Sequence, residues 1–310
     1  MNDAARIFAT VRQTVWPDAA KSCALAAALA GYLCAATPAF ANSSDTQAGD
    51  FAQPNLDDAF DGDYAIVAVG AGYVPDYDGS DDYGFQFGGA VRGEVSGIGF
   101  ATRGIGIELD VMPDLPGDID VSFGPDLRYR KVRTGSVDDA VVDLLPKLKS
   151  TVELGFGAGV SVKNVLTPLD SISLSGGTRW DISGHGGGQS ISAQVSYFTA
   201  LSQGMGAGLS VGTSWHDGKY ADYYYSITPE GSAATGGALP VYDAKGGMKS
   251  WDARAYYGID LDGNFRNGGF GIAAAISYER LVNSAAETPI VSMRGSHNQF
   301  AVLAGIGYVF

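Results

Sequence analysis

The sequence predicts an all-β protein, a transmembrane antiparallel up-and-down outer-membrane β-barrel of about twelve strands, with ten as the alternative. Three observations predict it. From Tyr64 onward, segments of about ten residues alternate apolar and polar side chains with period two, the pattern of strands that face lipid on one side and an interior on the other. Aromatic residues gather near the segment ends, at Tyr73, Tyr83, Trp180, Trp215, Trp251, Tyr257, Tyr278 and Tyr308, where an interfacial girdle would place them. Finally, no stretch after residue 41 reaches the 18 apolar residues of a membrane-crossing helix. A soluble sandwich could share the alternation, but not the aromatic ends.

The chain opens with Arg6, Arg12 and Lys21, then an apolar run from Cys23 to Ala36, then Ala39-Phe40-Ala41. That order reads as a secretory signal peptide over 1–41, cleaved near Ala41, because the apolar run is too short to span a bilayer. Both cysteines, Cys23 and Cys34, fall inside it, so the exported part has neither disulfide nor thiolate chemistry. Lipidation at Cys34 is disfavoured, since Gly31 stands where a lipoprotein signal carries Leu. Residues 42–63 (NSSDTQAGDFAQPNLDDAFDGD) are acidic and aperiodic and read as a flexible periplasmic leader.

The barrel would occupy 64–310. Its clearest strand is 151–163, with Val152, Leu154, Phe156, Ala158, Val160 and Val162 on one face and Glu153, glycines, Ser161 and Lys163 on the other. The same rhythm marks 64–74, 84–95, 98–111, 120–130, 170–183, 189–201, 205–217, 251–261, 269–281 and 298–310. Those are eleven segments, and a single-chain barrel with both ends in the periplasm needs an even number. The missing strand is expected in Tyr220–Thr228. Within 98–111 the apolar face switches between Phe100 and Ile105, which suggests a bulge near Gly104. The connection 218–250 is long enough to fold inward as a plug.

Charge excludes one class of partner. Without residues 1–41 the chain holds 17 basic and 32 acidic residues, a balance of −15, which disfavours nucleic acid. The partners expected instead are outer-membrane lipid, lipopolysaccharide and the outer-membrane assembly machinery. Tyr308 and the terminal Phe310 form the assembly signal, because the last alternating strand ends on an aromatic residue.

The alternation assigns Arg92, Arg103, Glu108, Asp126, Arg128, Arg130, Glu153, Arg179, Asp181, Arg254 and Glu279 to the lumen. Mixed charge at that density suits either a water-filled pore or an interior filled by ion pairs. No catalytic, cofactor or metal residues are expected. His185-Gly186-Gly187-Gly188 and Gly208-Leu209-Ser210-Val211-Gly212 mimic an esterase's oxyanion hole and nucleophile motif, yet Ser210 lies mid-strand rather than on a strand-to-helix turn. None of the three histidines is followed two residues later by Ser, and none has HExxH spacing. An acidic pairing of Asp81-Asp82 with His216-Asp217 across the mouth is conceivable on paper, but a loop carboxylate is ordinarily solvated. Asp76, Asp78, Asp81 and Asp82 lack calcium-loop spacing.

Gly70–Tyr83 (GAGYVPDYDGSDDY) resembles the opening motif of the MipA/OmpV family of MltA-interacting outer-membrane proteins. The likeness returns in Tyr220–Thr228, in Gly237–Lys245 (GALPVYDAK) and in Tyr278–Phe310, where YERL, Pro289-Ile290-Val291, Arg294-Gly295-Ser296, Gln299-Phe300 and GIGYVF keep the family order. The resemblance implies an outer-membrane barrel without catalytic residues, in some members a scaffold joining a lytic transglycosylase to a murein synthase. Other members are porin-like, so a passive channel for small solutes is the second expectation.

Overall fold

A computed structural model describes residues 63–102, 104–113, 115–263 and 268–310. The expected signal peptide, the leader up to residue 62 and Arg103 lie outside the described residues. The strands, in chain order, are β1 (Tyr64–Pro75), β2 (Tyr83–Val95), β3 (Ile98–Thr102), β4 (Ile105–Asp110), β5 (Ile119–Arg130), β6 (Thr151–Lys163), β7 (Asp170–Asp181), β8 (Gln189–Ser202), β9 (Met205–His216), β10 (Gly247–Asp260), β11 (Gly269–Leu281) and β12 (Asn298–Val309). Each pairs antiparallel with its sequence neighbours, and β12 returns to β1, so the sheet closes into a barrel. Closure matters because an open edge at membrane depth would strand backbone N–H and C=O groups in hydrocarbon.

Twelve is therefore the right strand number, but the twelfth strand lies elsewhere than expected. Tyr220–Thr228 is not a strand: Gly218–Tyr225 is a helix, α1. Asp217 caps it by accepting a hydrogen bond from Tyr220 N at 2.8 Å. Tyr220 and Tyr224, one helical turn apart, are both buried and their rings pack at 4.5 Å. The extra strand comes from 98–111, which is two strands, β3 and β4. Gly104, at φ +53°, belongs to the turn between them, so the switch of apolar face marks a hairpin and not a bulge.

Outward positions carry Val67, Val69, Phe123, Phe156, Leu174, Val195, Leu209, Val211, Ile272 and Val302, all exposed. A soluble protein rarely shows such a continuous apolar belt; in a barrel it faces lipid. Aromatic pairs edge the belt. Trp251 packs on Tyr278 at 5.3 Å and Tyr278 on Phe300 at 5.0 Å at one end, and Phe270 meets Tyr308 at 4.8 Å at the other. Both ends of the strand ladder, Tyr64 and Val309, lie at this second end, where Phe310 N donates to Ala65 O. Their shared position makes it the periplasmic end.

The remaining elements belong to the opposite, extracellular end. They are a 3₁₀ turn at Val142–Leu144, α1, α2 (Pro229–Ala234), α3 (Asn283–Glu287) and α4 (Pro289–Ser292). Among the described residues no helix is long and apolar enough to cross a membrane.

Candidate functional site

The inward faces divide the lumen wall into three arcs. On β11, β12 and β1 the middle of the wall is small and apolar, with Ile66, Ala68, Val74, Ala273, Ala275 and Leu303 all buried, while Glu279 and Gln299 lie towards the extracellular end. On β7 to β9 it is lined by buried hydroxyl and amide groups, Ser171, Ser173, Ser175, Ser190, Ser192, Gln194, Ser210 and Ser214. Ser173 donates to Ser161 at 3.0 Å, and Ser214 bonds Ser250 at 2.9 Å.

Charge concentrates on β4 to β7. Arg179 Nε donates to Asp126 Oδ1 at 2.5 Å and its Nη2 to Oδ2 at 3.1 Å, a bidentate fork in which both partners are buried. These residues sit two strands apart, with Gly155 between them in register. A side chain at Gly155 would stand 2.6 Å from Arg179 Cγ, so the glycine lets the arginine cross β6. Arg130 makes a second fork to Glu153 at 2.6 and 3.2 Å, and its guanidinium also faces the rings of Tyr220 and Tyr224 at 5.6 and 5.7 Å.

Of the residues the sequence assigned to the lumen, Glu108, Asp126, Arg128, Arg130, Glu153, Arg179 and Glu279 are buried, and Arg92, Asp181 and Arg254 are half-buried. Asp181 turns to its own loop, accepting from Gly187 N at 2.9 Å. Glu279 and Arg254 stand on the far wall beside Asp252, away from the ionic arc. Lys249 was missed by alternation. A register shift between Met248 and Ser250 turns it inward, where its fully buried Nζ meets Asp78 Oδ2 at 2.7 Å and Glu279 Oε1 at 3.5 Å. An out-of-phase lysine between Met248 and Ser250 was the only available sign.

Above the lumen, loops close over the extracellular mouth. Tyr77 from the β1–β2 loop, Val142 and Leu145 from the β5–β6 loop, Ile227 and Leu239 from the β9–β10 loop and Ile290 from α4 bury together in one cluster. Loops following β1, β5 and β9 are rooted four strands apart on a ring of twelve. Their side chains can share one core only by meeting across the opening. A second cluster joins Val132, Tyr220, Ala221, Tyr224, Tyr225, Ala244 and Ala285.

Polar groups stitch the cap together and fasten it to the wall. Arg133 Nη2 donates to Tyr224 O at 3.1 Å, and burial lowers that guanidinium's pKa to about 10. Burial, with the nearby Asp139 carboxylate, pushes the Tyr77 phenol up. Tyr225 OH donates to Asp78 Oδ2 at 2.7 Å, the oxygen that Lys249 also holds. Tyr224 OH and Thr151 Oγ1 lie 2.9 Å apart, which ties α1 to β6. Gln299 Nε2 donates to Ser80 O at 3.0 Å and so anchors the first loop to β12.

At the rim, Arg294 Nη2 clasps Asp139 Oδ2 at 2.6 Å. Burial alone would raise the Asp139 carboxyl, but this arginine and the amides of Val141 and Val142 hold it below its ordinary range. The motifs that mimic an enzyme disperse. His185–Gly188 belong to the β7–β8 turn, with Gly186 and Gly188 at φ +98° and +64°, and Ser210 is mid-strand in β9. Asp217 caps α1, and His216 stacks on Tyr220 at 5.0 Å. Among the described residues no group of three or more metal-ligating side chains is placed to hold an ion.

A closed twelve-stranded lipid-facing barrel with a charged interior defines an outer-membrane β-barrel protein. A profile of the MltA-interacting protein MipA matches residues 67–310. The chain therefore belongs to that family. No curated protein matches it. Solved structures with a similar fold include an outer-membrane channel from Pseudomonas putida F1, at 11% identity and TM-score 0.48, covering 84% of this chain and 98% of the channel. The CymD monoaromatic hydrocarbon channel aligns at 9% identity and TM-score 0.43, covering 89% and 97%. The KdgM porin aligns at 6% and 0.40, covering 79% and 99%. The barrel itself stands on this chain's own closed ladder.

Proposed function

We propose that this protein is a non-enzymatic envelope scaffold of the outer membrane, linked to murein remodelling through a lytic transglycosylase and a murein synthase. Family membership supports that role, since the family is described by its interaction with MltA. The observation that carries it against a passive channel is the cap: loops rooted four strands apart bury Tyr77, Ile227, Leu239 and Ile290 in one core over the mouth. A diffusion pore keeps a wetted path through its mouth, whereas a scaffold needs only a rigid barrel and a periplasmic face.

The described residues of that face lie in the connections 96–97, 111–113, 115–118, 164–169, 203–204, 261–263 and at 268, and the leader expected at 42–63 would add to them. Planar-bilayer recording of the purified protein separates the two roles. A scaffold gives no steady conductance and retains purified MltA on affinity resin. Ohmic steps without retention would sink the scaffold and establish the channel.

A further inference from the structure

Beneath the first loop, a cavity of about 30 Å³ lies against the inner wall of β10, β11 and β12, lined by Asp78, Asp252, Arg254, Ser277, Glu279 and Gln299. That volume admits roughly one or two water-sized groups. Asp252 and Glu279 are direct cross-strand partners in the β10–β11 register, so their side chains project side by side from the same inward face. They are 2% and 6% exposed. Gly212 is the partner of Asp252 on β9, and a methyl there would stand 2.5 Å from Asp252 Oδ1. The glycine gives the carboxylate its place.

Both Asp252 oxygens and Glu279 Oε1 are buried without a hydrogen-bond partner among the described residues. Lys249 Nζ approaches Glu279 Oε1 at 3.5 Å but lies closer to Asp78 Oδ2, at 2.7 Å. A buried carboxylate that accepts no hydrogen bond is strongly unfavourable. Charge around the cavity is also unbalanced. Three carboxylates, Asp78, Asp252 and Glu279, meet two cations, Lys249 and Arg254, which leaves one negative charge to be matched.

We propose that this cavity binds one primary ammonium group, as the ammonium ion or as the amine end of a small solute. A single positive charge completes the balance, which water would not do. Its N–H donors suit carboxylate oxygens that lack donors, and the Lys249 ammonium shows the same headgroup received next door by Asp78 and Glu279. A metal ion requires a converging shell of ligands, and among the described residues no group of three or more acidic, histidine or cysteine side chains is placed to supply one. The site is independent of the scaffold reading, since it calls on neither the periplasmic face nor a partner protein.

Urea unfolding of the purified protein in micelles tests the site, with ammonium chloride or methylammonium chloride replacing tetramethylammonium chloride at constant ionic strength. Tetramethylammonium carries the same charge but no N–H donor. A ligand of the folded state alone raises the folding equilibrium constant saturably, by about tenfold at a concentration ten times its Kd, and that rise is expected with ammonium. An equal rise with methylammonium identifies the amine end of a solute as the ligand; a rise with ammonium alone identifies the free ion. Asp252→Asn keeps the shape of the side chain without its charge and should lose the response. No rise, the same rise in Asp252→Asn, or an equal rise with potassium chloride would overturn the proposal. A readout that needs no variant is the proton–nitrogen magnetic resonance signal of isotopically labelled ammonium. A bound signal distinct from bulk, displaced by excess unlabelled ammonium but not by tetramethylammonium, is expected, and its absence at saturating ammonium would overturn the site.

Discussion

The two sides of the lumen are built on opposite physical terms. Across β5 to β7, buried arginines and carboxylates hold one another through forks such as Arg179–Asp126. Along the middle of β11, β12 and β1, Ala68, Ala273, Val74, Ala275 and Leu303 pack without charge. The difference teaches that the interior is not uniformly charged. One arc depends on complete pairing, since a buried ion is strongly unfavourable alone and nearly neutral when matched. The other depends on volume, through burial and close packing.

Breaking one fork gives the largest expected effect. Arg179→Ala leaves the Asp126 carboxylate buried without its arginine and should destabilise the barrel by about 3–5 kcal/mol, read from urea unfolding in micelles. The double variant Asp126→Leu/Arg179→Met should recover most of that loss. A single-variant effect as small as that of an exposed pair would show that water screens the ionic arc and would dissolve the contrast.

On the apolar arc, Leu303→Ala should lower stability by about 2–3 kcal/mol by leaving a void beside Val74 and Ala275. Its effect should be insensitive to salt. Gly155→Ala places a methyl 2.5 Å from Thr178 O and 2.6 Å from Arg179 Cγ, and about 1–3 kcal/mol is expected from the forced shift. Ser173→Ala, on the hydroxyl arc between the two, removes one hydrogen bond to Ser161 and should change stability by about 1 kcal/mol.

The smallest effect belongs to the rim. The Asp139 carboxyl sits below its ordinary 3.8 because of Arg294 and two amides, although burial opposes them. A carboxylate held low stabilises the fold above its ordinary value, and that contribution fades as pH falls through the lower one. Acidification should therefore loosen the loop around Asp139, seen as faster amide exchange at Val141 and Val142, and Arg294→Ala should weaken that pH dependence.

Most of the wall was legible because alternation is local. A residue's parity within a strand decides lipid or lumen regardless of what lies across the barrel, so Val152 to Val162 and the face of Glu153 could be read directly. The interior pairings could not. Arg179 and Asp126 are 53 positions apart, and only the register across Gly155 brings them together. The aromatic run Tyr220–Tyr225 looked like a strand because its composition favours one, yet the cap at Asp217 and the burial of Tyr220 and Tyr224 made it helical.

The hairpin of β3 and β4 was hidden for a similar reason. A change of apolar face fits a bulge or a turn equally well when only Gly104 marks the place.

The sequence by itself determined that this chain forms a barrel and which face of each strand meets lipid, since these follow from period, length and composition along one strand. Only the tertiary structure decided that the twelfth strand comes from a short hairpin, that the Arg179–Asp126 and Arg130–Glu153 forks gather on one arc, and that loops rooted four strands apart bury side chains together over the mouth. Those outcomes depend on which strands become neighbours when the ladder closes, and closure is a property of the whole ring.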